Sequence, residues 1–140
     1  MDSLKIDPAS ILQNIVSTMR GIFEQILLDS ISTKDTTGTC LYGCLLLAPA
    51  LEKFGGATVR IRGGGPPMDG GIMDPSGRLQ GHYWIEASVG EGTYVIDISS
   101  DQFGYPPIVM LSLAQSAKRY IPGDQHAVDG HVRQMQHDPG

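Results

Sequence analysis

The sequence predicts an α+β fold in which N-terminal helices pack on an antiparallel sheet. The first thirty residues contain apolar side chains at three- and four-residue steps, which is the period of an amphipathic helix. The middle of the chain contains two short runs rich in Tyr, Trp, Val and Ile, separated by a segment with two glycines. This pattern is typical of a β-hairpin. A helix packed against such a hairpin gives the α+β class.

Length and composition indicate one soluble globular domain. The chain has 140 residues, which is enough to bury a proper core. We expect a single domain over residues 1–125 and a polar tail over residues 126–140. No apolar run approaches the roughly 18 residues of a membrane span, and the first residues lack the pattern of a signal peptide. The expected location is the cytoplasm, or outside the cell after export without a cleaved signal peptide.

The charge pattern argues against a nucleic acid as the partner. The net charge is -5, and no cluster of Lys and Arg exceeds two residues. A surface that neutralises phosphates needs more positive charge than this. We therefore expect neither a nucleic acid nor a membrane as a partner.

The first predicted element is an amphipathic helix over residues 8–29. Asp7 is a good N-cap, and Pro8 suits the first helical position. The apolar stripe is wide, so we expect the helix to pack on a sheet or on a second helix. The stripe consists of Ile11, Leu12, Ile15, Val16, Met19, Ile22, Phe23, Ile26 and Leu27.

A second helix is predicted over residues 39–54, and Gly55-Gly56 ends it, as glycine usually does after a helix. Pro49 is awkward in this helix because it lies about ten residues in and removes a backbone hydrogen bond. The helix either kinks at Pro49 or breaks into two pieces.

Short strands are predicted after the second helix. The alternation over residues 57–62 indicates a strand. Gly63–Gly77 is predicted to be a loop because Gly and Pro punctuate it, and it lacks the Lys-Ser/Thr pair of a phosphate loop. Further strands are predicted over residues 81–87 and 93–98, which form the hairpin, and over 108–113 and 119–121. The tail either holds a short helix over residues 127–135 or is frayed.

The stretch Gly38-Thr39-Cys40-Leu41-Tyr42-Gly43-Cys44 places a cysteine where a polar segment becomes a buried helix. Free N–H groups and partial positive charge at a helix N-terminus favour a thiolate there. Cys44 lies one turn further in and is interpreted as core packing. The two Cβ atoms would lie about 5–6 Å apart on a helix, too far for an unstrained disulfide. Cys40 is therefore the candidate nucleophile.

The predicted hairpin supplies a base and an orienting carboxylate. If its turn is centred between Val89 and Gly90, then His82 lies directly opposite Asp97. Directly opposed residues project to the same face, with Cβ atoms about 4.5–5.5 Å apart. An imidazole N–H can then be donated to the carboxylate, which leaves the other ring nitrogen free to act as a base.

Three motifs follow one another along the chain: Gly38-Thr39-Cys40, Gly81-His82-Tyr83-Trp84 and Tyr94-Val95-Ile96-Asp97-Ile98. In this order they resemble the transglutaminase-like branch of the papain-like cysteine enzymes. Members of that branch carry a Cys at the start of a buried helix, a His followed after one residue by Trp, and an Asp that closes the next strand. Gln102-Phe103 is also similar to members of this group. The resemblance covers residues 37–103, about half of the chain.

The resemblance implies a papain-like fold and a catalytic triad of Cys40, His82 and Asp97. Cys40 would attack an amide or ester carbonyl to form a thioester, His82 would transfer the proton, and Asp97 would orient His82. The expected substrate is an amide of a peptide or protein, which is hydrolysed, deamidated or transamidated without a cofactor or metal.

The oxyanion of such a reaction needs hydrogen-bond donors. The backbone N–H of Cys40 is the natural first donor. Papain-like enzymes often use a Gln several residues before the Cys, but Lys34-Asp35-Thr36 contains none. Gln102 is a candidate for the second donor, which the sequence does not identify.

Other interpretations stay open. The same fold can serve as a non-catalytic module that binds a peptide or protein, and an acyltransferase with a thioester donor would use the same three residues. His82 beside Trp84 also fits a core histidine. The histidines of the tail suggest a metal site, but His126 and His131 are five residues apart, which does not align two ligands on one helical face as well as four. No metal site is predicted.

Overall fold

A computed structural model of the chain describes residues 7–31, 39–65, 70–90 and 92–137. Within these ranges, helices and an antiparallel sheet form the predicted α+β arrangement. The helices are α1 (Pro8–Ile31), α2 (Cys40–Gly55), α3 (Leu113–Ser116) and α4 (Gln125–His137). The strands are β1 (Thr58–Gly64), β2 (Gly71–Met73), β3 (Leu79–Gln80), β4 (His82–Val89), β5 (Gly92–Asp97), β6 (Val109–Ser112) and β7 (Tyr120–Ile121).

Helix α1 confirms the predicted amphipathic helix. It begins at Pro8 and buries Leu12, Val16 and Phe23, which follow one another at steps of four and seven residues. These side chains pack against α2 and the sheet. Most of the apolar stripe of the sequence therefore faces the core, whereas Ile22, which belongs to the predicted stripe, is exposed.

Helix α2 runs through Pro49 as one uninterrupted helix. The alternative that it breaks into two pieces is therefore wrong. Pro49 itself is exposed, whereas its neighbours Ala48 and Ala50 are buried. Packing of the apolar face thus holds together a helix that the proline weakens locally.

The main sheet has the strand order β1-β4-β5-β6, and every neighbouring pair is antiparallel. One face carries Ile85 and Ile96 and packs against α1 and α2. The other face carries Trp84 and Val95 and is covered by residues of a small second sheet of order β3-β2-β7. The alternation along β4 therefore sends the odd-numbered side chains to the helices, and the even-numbered His82 and Trp84 to the side of the small sheet.

The predicted loop Gly63–Gly77 is wrong in part. Strand β1 continues to Gly64, and Gly71–Met73 forms β2, which lies between β3 and β7. Residues 66–69 of this segment lie outside the described residues. Glycines have low strand propensity, so the sequence conceals a strand that backbone pairing and one buried side chain, Ile72, hold in place.

The C-terminal segment contains helix α4, so the helical alternative for the tail is confirmed. Helix α4 lies against β1. Val128 is buried, and the Gln125 side chain donates from Nε2 to the Ile61 carbonyl at 2.8 Å. Of the helices in the described ranges, none is both long and apolar enough to cross a membrane.

Candidate active site

The β4–β5 hairpin has a different register from the predicted one. Ile85 faces Ile96 rather than residue 94, so the partner is displaced by two positions. Strand β4 ends at Val89 and β5 begins at Gly92, and Gly90 adopts a positive φ of +59°, which glycine tolerates. A shift of two residues leaves every side chain on its original face. His82 and Asp97 are therefore diagonal neighbours on one face, and not directly opposed.

His82 and Asp97 nevertheless make direct contact. His82 Nε2 lies 2.7 Å from Asp97 Oδ2. The exposed fractions of the two residues are 1% and 2%. Strand alternation sends both side chains toward the small sheet, where water cannot compete for the bond. A buried charge of this kind needs a partner, and each residue supplies one for the other.

Further donors hold the Asp97 carboxylate in place. Tyr120 donates its hydroxyl to Oδ2 at 2.9 Å, and the Ser99 backbone N–H donates to Oδ1 at 2.9 Å. The Ser99 hydroxyl adds a longer bond to Oδ1 at 3.3 Å. Both carboxylate oxygens are thus hydrogen-bonded, and the carboxylate cannot rotate away from the imidazole without losing them.

The second ring nitrogen of His82 is free of such bonds. Nδ1 is buried and has no hydrogen-bond partner among the described residues. Burial lowers the pKa of His82, but the Asp97 carboxylate and interactions with Cys40 raise it more, to about 9. His82 is therefore an imidazolium at neutral pH, with Asp97 on one side and Cys40 near the other.

Aromatic rings fix the plane of the His82 imidazole. Phe103 meets it edge-on at a centroid distance of 4.8 Å and an interplanar angle of 76°. The centroid of the Trp84 ring lies 6.3 Å from that of the imidazole, and Trp84 projects from the same face of the sheet as His82. The motif His82-Tyr83-Trp84 thus places Trp84 in the wall around His82 and not among the reacting groups.

Cys40 is the first residue of α2, as the sequence predicts. It is half-buried and not in a disulfide, whereas Cys44 is buried one turn further in. Burial raises the pKa of the Cys44 thiol well above its ordinary value, and the nearby Asp97 and Cys40 raise it further. Cys44 therefore stays protonated, which agrees with its interpretation as a core residue.

A cleft of about 300 Å³ opens beside Cys40 and His82. Three glycines without side chains form part of its lining, and residues at the start of α4 form another part. The cleft is thus assembled from both halves of the chain. Its other lining residues are Gly64, Gly65, Gly81, Tyr83, Asp124, Ala127, Val128 and His131.

Tyr83 and His131 are cleft residues that the sequence did not single out for this role. The Tyr83 hydroxyl is hydrogen-bonded to Nδ1 of His131, and the two rings meet edge-on at 6.1 Å. The sequence placed His131 only among the histidines of the tail. No local pattern connects two residues 48 positions apart.

The remaining sequence candidates lie elsewhere. Gln102 donates its amide to the Ser99 carbonyl at 3.1 Å and is not part of the cleft lining. The segment Lys34-Asp35-Thr36 and the side chain of His137 lie outside the described residues. Among the described side chains, no three of His, Cys, Asp and Glu are grouped closely enough to hold a metal ion.

Comparison with known proteins found no family model, no curated protein and no solved structure that matches the chain. The geometry of Cys40, His82 and Asp97 and the cleft that adjoins them are therefore the features that bear on function.

Proposed function

We propose that the chain is a cysteine-dependent hydrolase or acyltransferase with a transglutaminase-like, papain-like fold. One observation carries the proposal. His82 is buried, Asp97 holds one of its ring nitrogens, and the other nitrogen is unpartnered near a cysteine at a helix N-terminus. A core histidine that served only packing would be expected to satisfy both nitrogens.

In the proposed reaction, the Cys40 thiolate attacks the carbonyl carbon of an amide while the carbonyl π electrons move to oxygen. The tetrahedral intermediate then collapses and expels the amine, which takes a proton from the His82 imidazolium. Water or a second amine attacks the resulting thioester, His82 accepts its proton, and the Cys40 thiolate leaves. Asp97 keeps the imidazole oriented through both steps.

The cleft supports a peptide or protein amide as the substrate. Its lining includes three glycines, Gly64, Gly65 and Gly81, whose partly exposed backbone carries no side chains. Exposed backbone N–H and C=O groups can hydrogen-bond to an extended peptide. The proposed substrate would lie along this part of the cleft, with its carbonyl beside Cys40.

Alkylation of the native protein with iodoacetamide tests for the activated thiol. We expect Cys40 to be labelled at about pH 7 faster than an ordinary thiol of pKa about 8.5, while Cys44 is protected by burial. His82→Ala should slow the labelling at least about tenfold, because the thiolate loses its counter-ion. His126→Ala is the matched control, since His126 is exposed and outside the cleft lining.

Mapping of the modified residue by mass spectrometry decides between the outcomes. Equal and slow labelling of both cysteines, or preferential labelling of Cys44, would rule out the triad. A fast thiolate at Cys40 that never forms an acyl-enzyme with any ester or peptide amide would instead indicate the non-catalytic binding module.

A further inference from the structure

The Tyr83 side chain lies opposite a glycine of the neighbouring strand β1. Its strand partner across the sheet is Gly63 on β1. A Cβ atom at Gly63 would lie 2.6 Å from Tyr83 Cδ1, closer than such atoms ever approach. The tyrosine ring therefore lies over the backbone of β1, and only glycine leaves room for it there.

From this position the Tyr83 hydroxyl reaches His131 on helix α4. The hydroxyl and His131 Nδ1 are hydrogen-bonded, and both residues line the same cleft as Cys40. Tyr83 is half-buried, and its pKa is raised by burial and by the nearby Cys40 and Cys44. The phenol is therefore neutral at physiological pH and keeps its proton.

The bond to His131 determines what the phenol can offer a substrate. When Nδ1 of His131 carries the proton, it donates to the Tyr83 oxygen, and the phenol O–H remains free to donate into the cleft. In the other tautomer the phenol donates its O–H to Nδ1, so that only the lone pairs of its oxygen can face a substrate in the cleft. His131 can thus orient Tyr83 as a donor next to the nucleophile.

We infer that the Tyr83 hydroxyl is the second oxyanion donor of the site and that His131 is its positioning residue. This inference rests on the proposed function. It supplies the donor that the sequence left unidentified, and it assigns it to a side chain of the cleft lining instead of Gln102.

The step can be written for the ester 4-nitrophenyl acetate. The Cys40 thiolate forms a bond to the acetyl carbon, and the carbonyl electron pair moves to oxygen, where the Cys40 N–H and the Tyr83 O–H donate to it. The C–O bond to the leaving group then breaks, which gives the Cys40 acetyl thioester and 4-nitrophenolate. Tyr83 donates a hydrogen bond throughout and transfers no proton.

Two reactions of the same thiolate separate this role from a structural one. Alkylation by iodoacetamide is a displacement at a saturated carbon and develops no oxyanion, whereas acylation by 4-nitrophenyl acetate does. We expect Tyr83→Phe to lower the acylation rate by about 100-fold, as loss of one oxyanion donor does. The alkylation rate of Cys40 should stay at the wild-type value.

His131 is tested by rescue. His131→Ala should lower acylation in the same direction, and His131→Asn should restore part of it, because the Asn side-chain amide can donate to the Tyr83 oxygen in place of Nδ1–H. Tyr105→Phe is the matched control, since the Tyr105 hydroxyl donates to the Met73 carbonyl away from the cleft lining. It should leave the ratio of the two rates unchanged.

The outcomes distinguish the inference from the function on which it rests. If the wild-type protein forms no acetyl thioester at Cys40, the proposed function fails. If the wild type is acylated and Tyr83→Phe is acylated equally fast, only the role of Tyr83 fails. An equal loss of acylation and alkylation in Tyr83→Phe would also overturn the inference, because it would indicate a structural effect on the thiolate.

Discussion

At the scale of single residues, the carboxylate of Asp97 is the best-supported group of the site. It is almost fully buried and accepts hydrogen bonds from His82, Tyr120 and Ser99. A buried carboxylate left without such donors would be costly. The bond from His82 Nε2 also fixes which ring nitrogen remains available to Cys40.

The pKa of His82 gives a prediction at this scale. The folded-state value of about 9 lies above the ordinary value of 6.5, so the charged His82 stabilises the fold. This contribution is complete below pH 6.5 and is lost as the pH rises through about 9. We expect the His82 imidazole signal in an NMR titration to have its midpoint near 9, with His82→Gln identifying the signal.

Asp97→Asn should lower that midpoint, because the amide removes the negative charge beside Nε2. The free energy of unfolding of the wild type should also fall over this pH window more steeply than that of Asp97→Asn. A wild-type midpoint near 6.5 would contradict the ion pair, since His82 would then be neutral at pH 7.

The sequence alone predicts the contact between Asp97 and His82, but not the hydrogen bond from Tyr120. An Asp within Val-Ile-Asp-Ile has to have a partner if its strand is buried, and hairpin geometry leads to His82. Tyr120 could not be found in this way, because it is on a strand of the other sheet, 23 positions from Asp97. Contacts between elements that are distant in sequence depend on tertiary packing, which no local pattern encodes.

At the scale of the elements, α2 combines the proposed nucleophile with a helix-breaking residue. Pro49 lacks the N–H that would bond to the Leu45 carbonyl, and it remains exposed. Its neighbours Ala48 and Ala50 are buried in the core. The helix therefore survives through packing and not through its intrinsic propensity.

Pro49→Ala should stabilise the protein, because it restores a backbone hydrogen bond and removes a residue that costs about 3 kcal/mol in a helix interior. We expect a gain of about 1–3 kcal/mol in the free energy of unfolding, measured by urea denaturation. Glu52→Ala, at another exposed position of the same helix, is the control and should change stability by less than about 0.5 kcal/mol. A loss of stability in Pro49→Ala would mean that the proline is required by the packing.

The hairpin and the glycine-rich segment show which features of the elements can be predicted from sequence patterns and which cannot. The alternation along β4 and β5 placed His82 and Asp97 on one face correctly, while the turn lies one residue later than predicted, which displaces each cross-strand partner by two residues. The strand β2 was missed because Gly71-Ile72-Met73 offers one buried apolar side chain and no alternation. Side-chain periodicity therefore predicts which face of a sheet a residue occupies. It does not predict a strand such as β2, which is formed mainly by backbone pairing.

At the scale of the whole molecule, Arg20 connects the first helix to the loop that follows Asp97. Its guanidinium donates to the Ile98 carbonyl at 2.6 Å and to both carboxylate oxygens of Asp101 at 3.0 and 3.1 Å. The loop between these partners contains Ser99, which donates to Asp97. Arg20 and Ile98 are buried, whereas the Asp101 carboxylate is partly exposed, so the connection is shielded from solvent at its Arg20 and Ile98 end.

Arg20→Met should lower the free energy of unfolding by about 1–3 kcal/mol, because it leaves the buried Ile98 carbonyl without its donor and removes the partner of the part-exposed Asp101 carboxylate. It should also slow the alkylation of Cys40, since the loop supports the His82–Asp97 pair. Denaturant unfolding and iodoacetamide labelling of the same variant measure the two effects.

Arg62→Met is the matched control. Arg62 pairs with Glu86 at 3.1 Å across β1 and β4 and not with that loop, so its loss should destabilise the fold without changing the alkylation rate of the folded protein. If Arg20→Met keeps the wild-type alkylation rate, the bonds that Arg20 makes from α1 do not influence the reactivity of Cys40.

The bonds of Arg20 also bear on the order of events during folding. They join residues 78 and 81 positions apart, so a long loop must close before they form. Contacts with such sequence separation incur their entropic cost early and contribute stability late. A partly folded chain could therefore contain α1 and α2, and with them the Cys40 thiol, before His82 and Asp97 are locked together. We expect the reactivity of that thiol to appear only in the last cooperative step, when the complete fold closes.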